Sequence, residues 1–382
     1  MPREQLLLIP GPTPVHPRII NSLSLPTVSH VSPVFVEEFK QSLIDLKVIV
    51  SCNQGQAFIV SGAGTLAMEM ALVNTVGPGE KILVLSQGYF GNRMQEIAHS
   101  FGLRCEVLES PWGEAVLPFE LEEKIEAENY AAVVATHVDT ATGACAPVKE
   151  YARVIKEKET LFIVDGVCAT GGIEEKMDDW GIDVIFTAAQ KCFGVPPGLA
   201  VLVLSEAALS KRRSLGSVPA YYADLMRWLP IMRDPSRYFS TPCVNEIRAF
   251  AEGARLILEE GLEARFQRHS LAARAIRAAF QRLGFSFFTQ EVFWAETLSV
   301  VYYPPGIGGR SLRGELLKRG IVVAGGLGDL ADKVFRMGHM GNLSISQIFY
   351  ALEALEDSLN VLGYNFESGV GVRAAKNVLK AS

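Results

Sequence analysis

Lys191 closes an apolar run, Asp183-Val-Ile-Phe-Thr-Ala-Ala-Gln-Lys191, and the small, rigid segment Gly194-Val-Pro-Pro-Gly198 follows it. That company places the lysine at the end of a buried strand, where its amine is a nucleophile; the bland alternative is a surface lysine, the commoner fate of the residue type. Asp165 closes a second apolar run, Leu161-Phe-Ile-Val-Asp165. The loop Ser61-Gly-Ala-Gly-Thr65 precedes a segment, Leu66 to Val76, that can be helical, so backbone N–H groups and a helix dipole would converge there on an anion. An amine, a carboxylate and an anion cradle suit pyridoxal phosphate, which needs a Schiff-base partner, a counter-ion for its ring nitrogen and donors for its phosphate.

These residues need a scaffold that holds them together. Short β-rich runs at Ala57–Val60, Lys81–Leu85, Ala131–Ala135, Leu161–Val164, Asp183–Phe186 and Ala200–Leu204 alternate with helical patterns. Strands apolar throughout imply a sheet covered on both faces, and helical crossovers imply that most are parallel. The expected fold is therefore an open α/β sheet with ligand groups at its strand ends. An aromatic-rich stretch between Pro219 and Pro242 reads as a long irregular loop of the kind that serves function or a partner chain. Beyond a long helical pattern from Asn245, an α+β segment is expected: a helix at 262–283, strands near Ser299–Tyr303 and Ile321–Ala324, a helix at Ser344–Val361 and a short helix in the tail. The expected division is an N-terminal arm over 1–15, a large cofactor-binding domain over 16–250 and a small domain over 251–382.

Composition narrows the function. The 382 residues, 49% hydrophobic and 20% charged with a net charge of -6, describe a compact two-domain protein with no basic footprint for nucleic acid. Six cysteines without CxxC or zinc-ligand spacing read as reduced, mostly buried thiols. With no run of about 18 apolar residues to span a membrane and an N-terminal apolar patch too short for a signal peptide, a cytoplasmic location is expected.

Eight ordered motifs carry a family resemblance: Pro10-Gly-Pro-Thr-Pro14, Ser61-Gly-Ala-Gly-Thr65, Gly88-Tyr-Phe-Gly-Asn-Arg93, Thr136-His-Val-Asp-Thr-Ala-Thr-Gly143, Val164-Asp-Gly-Val-Cys168, Gln190-Lys191, Tyr238-Phe-Ser-Thr-Pro242 and Phe335-Arg-Met-Gly-His-Met-Gly341. Together they resemble the class V aminotransferases of fold type I, specifically the alanine:glyoxylate and serine:pyruvate group. The resemblance implies pyridoxal 5′-phosphate as cofactor, with Lys191 as its Schiff-base partner and proton shuttle. That role needs an amine neutral once released, the direction in which a desolvated pocket shifts a lysine. By the same resemblance Asp165 binds the ring nitrogen, Phe90 stacks on the ring and Thr140 contacts the cofactor. Gly62, Ala63 and Gly64 offer the phosphate backbone donors and Gln190 a side-chain amide. Tyr238 and Thr241 reach the phosphate of the partner subunit, so a homodimer with shared sites is implied. Arg336 takes the substrate carboxylate, and Gly11 makes a backbone contact near the substrate.

The chain departs from the family in two places. Where relatives read His-Arg-Ser-Pro-Glu-Phe it has His30-Val-Ser-Pro-Val-Phe35, and where many carry serines after the aspartate it has Gly166, Cys168 and Ala169. The expected activity is ping-pong transamination between a small amino acid, alanine or serine, and a small 2-oxo acid, glyoxylate or pyruvate. A lyase or desulfurase using the same cofactor is the enzymatic rival, although Cys192 beside the lysine reads as a small packing residue. The rival of another class is a non-catalytic, cofactor-binding regulatory or scaffold protein. No histidine spacing suits a metal.

Overall fold

A computed structural model describes residues 5–380; the first four residues of the expected N-terminal arm lie outside the described part. Among the described residues twelve strands follow in order as β1 (Leu6–Leu7), β2 (Gln56–Ser61), β3 (Lys81–Ser86), β4 (Arg104–Glu109), β5 (Ala132–Thr136), β6 (Leu161–Asp165), β7 (Val184–Ala188), β8 (Leu199–Leu204), β9 (Leu298–Tyr302), β10 (Ile321–Val322), β11 (Ala324–Gly325) and β12 (Val334–Gly338). Seven of them form one sheet in the order β2-β8-β7-β6-β5-β3-β4. Pairings along β7-β6-β5-β3-β4 are parallel, whereas β8 runs antiparallel to both its neighbours. The other six strands therefore share one direction and end at one edge.

Helices cover both faces of this sheet, so β5 and β7 are buried along their whole length, as continuous Val/Ile/Ala-rich runs require. Only β4 departs from that pattern. Its sequence, Arg-Cys-Glu-Val-Leu-Glu, is charged and half-exposed because it is an edge strand with one neighbour, which is why hydropathy did not mark it as a strand.

The stretch read as an irregular loop holds a helix, Leu225–Arg233, despite Pro230 inside it. Asp224 caps its first turn by accepting from Met226 N (2.9 Å), and Trp228, Leu229, Ile231 and Met232 are buried. Burial of that apolar face outweighs the hydrogen bond that proline removes.

The helix Val244–Glu260 belongs to the core of the large sheet as far as Ile257, and at Gly261 (φ 85°) the chain turns into the helix Leu262–Arg282. From Ala272 onward that helix supplies a second core, which it shares with Phe335, Leu352 and Leu8. We therefore propose Gly261, rather than the expected residue 250, as the division between the domains. Leu8 follows β1, which pairs in parallel with β10, so the N-terminal arm is stitched into the small domain. A third cluster at the junction joins Cys168, Ala169 and Cys192 to Leu298, Val300 and Val334.

Among the described residues no helix is long and apolar enough to cross a membrane. The C-terminal helix Val370–Lys380 is held by Glu356, which is 5% exposed and accepts from the amides of Gly369 (2.5 Å), Gly371 (2.8 Å) and Val372 (3.0 Å). A carboxylate on first-turn amides satisfies groups that have no partner within the helix and opposes the dipole favourably. Glu356→Ala is expected to lower stability by about 2–3 kcal/mol, read as a lower urea midpoint, because it leaves buried donors without an acceptor.

Candidate active site

The shared edge collects the polar residues of the large domain. Asp165 is the last residue of β6, the Thr136-His137 pair closes β5, Gln190 and Lys191 follow β7, and Gly62 follows β2. Lys191 lies three residues beyond β7, in a turn pinned from the N-terminal arm: Thr13 donates through its amide to Gln190 O (3.1 Å) and through its hydroxyl to Lys191 O (2.8 Å). The amine Nζ donates to Pro10 O. Gly11, at φ 105°, is pressed against the lysine; a Cβ there would stand 2.5 Å from Lys191 Cδ and 2.9 Å from Nζ. Only glycine combines that backbone with that approach.

Asp165 is 2% exposed, and the Val167 amide donates to its Oδ1 (3.0 Å). Burial pushes its carboxyl up to about 7, with nearby Asp139 adding to the rise while the Val167 amide and Lys191 oppose it. Such a carboxylate gains from a cation brought to it.

In the glycine loop the structure divides the expected donors. The Gly62 amide is taken by Gly198 O (2.8 Å), so Gly62 shapes the loop rather than offering its N–H. Gly64 opens the helix Gly64–Val73 behind Ala63, with no side-chain cap, and the first-turn amides point out of the helix end. Gln190 Oε1 is buried without a partner among the described residues. Amide oxygen and nitrogen are interchangeable in assignment, so the orphaned end of Gln190 is a ready donor to an anion. An uncapped helix start, an orphaned buried amide, a buried carboxylate seeking a cation and a confined lysine fit pyridoxal phosphate.

Asp139 organises the opposite wall and is a residue the sequence reading missed. Fully buried, it accepts from the amides of Phe90 (2.8 Å), Ala141 (2.8 Å) and Thr142 (3.2 Å). It thereby fixes both Phe90, in the first turn of the helix Tyr89–Ser100, and the backbone around Thr140. The Asp-x-x-Thr-Gly turn after a strand, Asp139 to Gly143, was the available signal, since an aspartate there caps its own loop.

Arg336 sits on β12, a strand the sequence reading did not anticipate. Its Nε donates to Gly325 O (2.7 Å) and its Nη1 to Thr140 O (2.8 Å). Those bonds join the small domain to the Thr140 turn and leave Nη2 with no acceptor among the described residues. Tyr238 and Thr241 are exposed on this chain, and Tyr238 lies against the His30 ring at 5.5 Å.

Two further buried groups flank the site. His137 is bonded through Nδ1 to Glu175 (2.7 Å), and Thr170 donates to the other Glu175 oxygen (2.6 Å). Burial alone would lower the His137 pKa, but contacts with Cys145 and Glu175 outweigh it and raise the imidazole to about 10. Cys192 is fully buried, and burial pushes its thiol well up, which suits a packing residue and not a nucleophile.

Asp165 sets a pH dependence. Its folded pKa of about 7 exceeds its ordinary 3.8, so between these values the folded chain holds a proton that the unfolded chain has lost. This contribution is fully present below about pH 4 and is lost as pH rises through 7. Without cofactor, the stability difference between wild type and Asp165→Asn is expected to shift against wild type from pH 4 to 7, measured by urea midpoints.

The family model described as aminotransferase class-V matches residues 27–327. An uncharacterised aminotransferase of Methanocaldococcus jannaschii is 34% identical, with 98% of each chain covered. The L-aspartate–glyoxylate aminotransferase of Paracoccus denitrificans is 31% identical over 98% of this chain and 96% of its own. The crystal structure of ureidoglycine-glyoxylate aminotransferase from Bacillus subtilis superposes with a TM-score of 0.93 at 30% identity, covering 98% of both chains. The chain belongs to the class V aminotransferases, enzymes of fold type I that use pyridoxal 5′-phosphate.

Proposed function

We propose that this aminotransferase moves an amino group from a small amino acid, alanine or serine, to glyoxylate or pyruvate in two half-reactions. The observation that carries the choice is the single free fork of Arg336. With Nε and one Nη1 hydrogen held by carbonyls, the guanidinium presents one bidentate edge, enough for one carboxylate. Arg212 is occupied by Asn74 and Asp224 and Arg265 by Gly171, Cys192 and Glu260, while Arg277 donates through Nη2 to the carbonyls of Ala295 and Leu298 and keeps a buried, unpaired Nε. A donor with a second carboxylate would find no free fork on Arg212 or Arg265. Glyoxylate appears in the names of two of the relatives above, which supports the acceptor.

When bound, pyridoxal phosphate supplies an aldehyde that accepts the amine and a ring that disperses the electron pair left at the donor's Cα. Ala63, Gly64 and Gln190 would hold the phosphate and Phe90 would cover the ring. The buried Asp165 carboxylate, relieved by a cation, would keep the ring nitrogen protonated. Lys191, confined by Gly11, would carry the proton from the donor's Cα, and Arg336 would orient the Cα–H bond towards it.

The reading includes a homodimer. Tyr238 (65% exposed) stands beside His30 in the same surface region as Val31 (49%) and Val34 (61%), the valines that replace the family's charged pair. A large aromatic residue and two exposed valines together suit burial by a second copy, which would place Tyr238 and Thr241 near that copy's phosphate cradle.

The test follows the absorption of the cofactor-loaded enzyme as alanine, serine, aspartate and glutamate are added singly without acceptor. Alanine or serine is expected to convert the yellow form, and glyoxylate or pyruvate to restore it; conversion by aspartate or glutamate alone rejects the donor assignment. Release of ammonia or sulfide without an acceptor would favour the lyase or desulfurase reading. Arg336→Lys is expected to raise the donor KM roughly tenfold or more, about 1.4 kcal/mol, because a point charge cannot reproduce the fork.

A further inference from the structure

Lys191 and Asp165 stand on different turns, and the reaction needs their separation held to a fraction of an ångström. Both turns back onto one side chain of the helix Leu262–Arg282. Arg265, 1% exposed, donates through Nε to Gly171 O (2.7 Å) and through Nη2 to Cys192 O (2.6 Å), while Nη1 is paired with Glu260 (2.8 Å). Cys192 is the neighbour of Lys191. Gly171 ends the tight turn that begins at Asp165, whose own bonds, Ala169 N to Gly166 O (2.9 Å), Thr170 N to Gly166 O (2.7 Å) and Gly172 N to Ala169 O (2.7 Å), leave it little freedom.

The two turns also touch directly. A Cβ on Gly172 would stand 2.7 Å from Cys192 Sγ, so the glycine and the small thiol set the closest approach while the guanidinium ties the two backbones from behind. The same hub reaches the segment that follows Arg336. Arg268 shares Glu260 (2.5 Å) and donates to Gly341 O (3.0 Å) and Leu343 O (3.1 Å), and His269 bridges Arg265 O and the Gly341 amide. A planar fork with fixed donor directions suits two carbonyls in a way that a lysine ammonium does not.

We propose that Arg265 is a positioning residue for transamination, fixing the Lys191 turn against the Asp165 turn from within the small domain. The inference rests on the roles proposed above for those two residues. It touches neither substrate nor cofactor, and it acts through two backbone carbonyls.

The experiment compares wild type with Arg265→Lys, Arg265→Gln and Glu260→Gln, each as purified full-length protein loaded with pyridoxal phosphate. Glu260→Gln weakens the outer leg of the hub and leaves both carbonyl bonds in place. Unfolding midpoints are measured for all four. The rate of the donor half-reaction is measured with alanine or serine, whichever wild type accepts, and the cofactor's absorption is titrated with pH. The expected result is a loss of roughly tenfold or more in the half-reaction rate for whichever Arg265 variant folds, with donor KM changed less than about threefold, and a displaced midpoint of the spectral titration. Glu260→Gln is expected to lower the unfolding midpoint while keeping the wild-type rate and spectral midpoint. The proposal is overturned if a folded Arg265 variant keeps both the rate and the spectral midpoint, or if Glu260→Gln loses them equally, since either outcome makes Arg265 a stabilising residue only. Failure of both Arg265 variants to fold would equally assign it to stability. Should wild type itself show no donor-dependent spectral change, the functional reading fails, a result distinct from these.

Discussion

A sheet covered on both faces can carry polar side chains only at its ends, and this constraint shapes the whole enzyme. Six strands of the large sheet point the same way, so one edge receives Asp165, His137, the Lys191 turn and the glycine loop together. The reversed strand β8 preserves this arrangement. Placed between β2 and β7 and antiparallel to both, it returns the chain after Lys191 and lets the glycine loop of β2 end beside the lysine turn. The polar edge therefore follows from strand direction, before any side chain is chosen.

Crowding polar groups at that edge requires each one to be satisfied. Asp139 collects three amides, Glu175 a histidine and a threonine, and Arg265 two carbonyls and a carboxylate. Groups left incompletely paired are correspondingly informative. Asp165 has one backbone donor and a raised pKa, Gln190 has an orphaned amide oxygen and Arg336 has an idle Nη2. These belong to the set that the family resemblance assigns to ring nitrogen, phosphate and carboxylate, so their incomplete satisfaction supports the proposed ligand roles.

The small domain and the N-terminal arm close the site mechanically. Gly11 and Thr13 hold the lysine from the arm, which is itself stitched to the small domain by β1 and β10, while Arg336 and the Arg265 hub reach across from helix and strand. Motion of one domain against the other would disturb Lys191, the Thr140 turn and the Arg336 guanidinium at once. That coupling suits the proposed role of Lys191 in both half-reactions.

Much of this was legible in the chain alone, because burial on both faces leaves uninterrupted apolar runs that hydropathy detects, and because Lys191 and Asp165 each terminate one. Elements that broke the pattern were not. The edge strand β4 is charged, the helix 225–233 contains a proline, and β12 carries Arg336 among buried neighbours, so each is stabilised by long-range packing rather than by local preference. Gly62 shows the same limit at atomic scale: its sequence context advertises a phosphate donor, yet its N–H is claimed by Gly198, more than a hundred residues away. Arg265 acts on backbone carbonyls distant in sequence, which have no signature in residue type. Sequence thus determined which side chains stand at the strand ends and the chemistry they can perform; only the tertiary structure decided which donors remain free and what holds them, because hydrogen-bond partners are chosen by proximity in space.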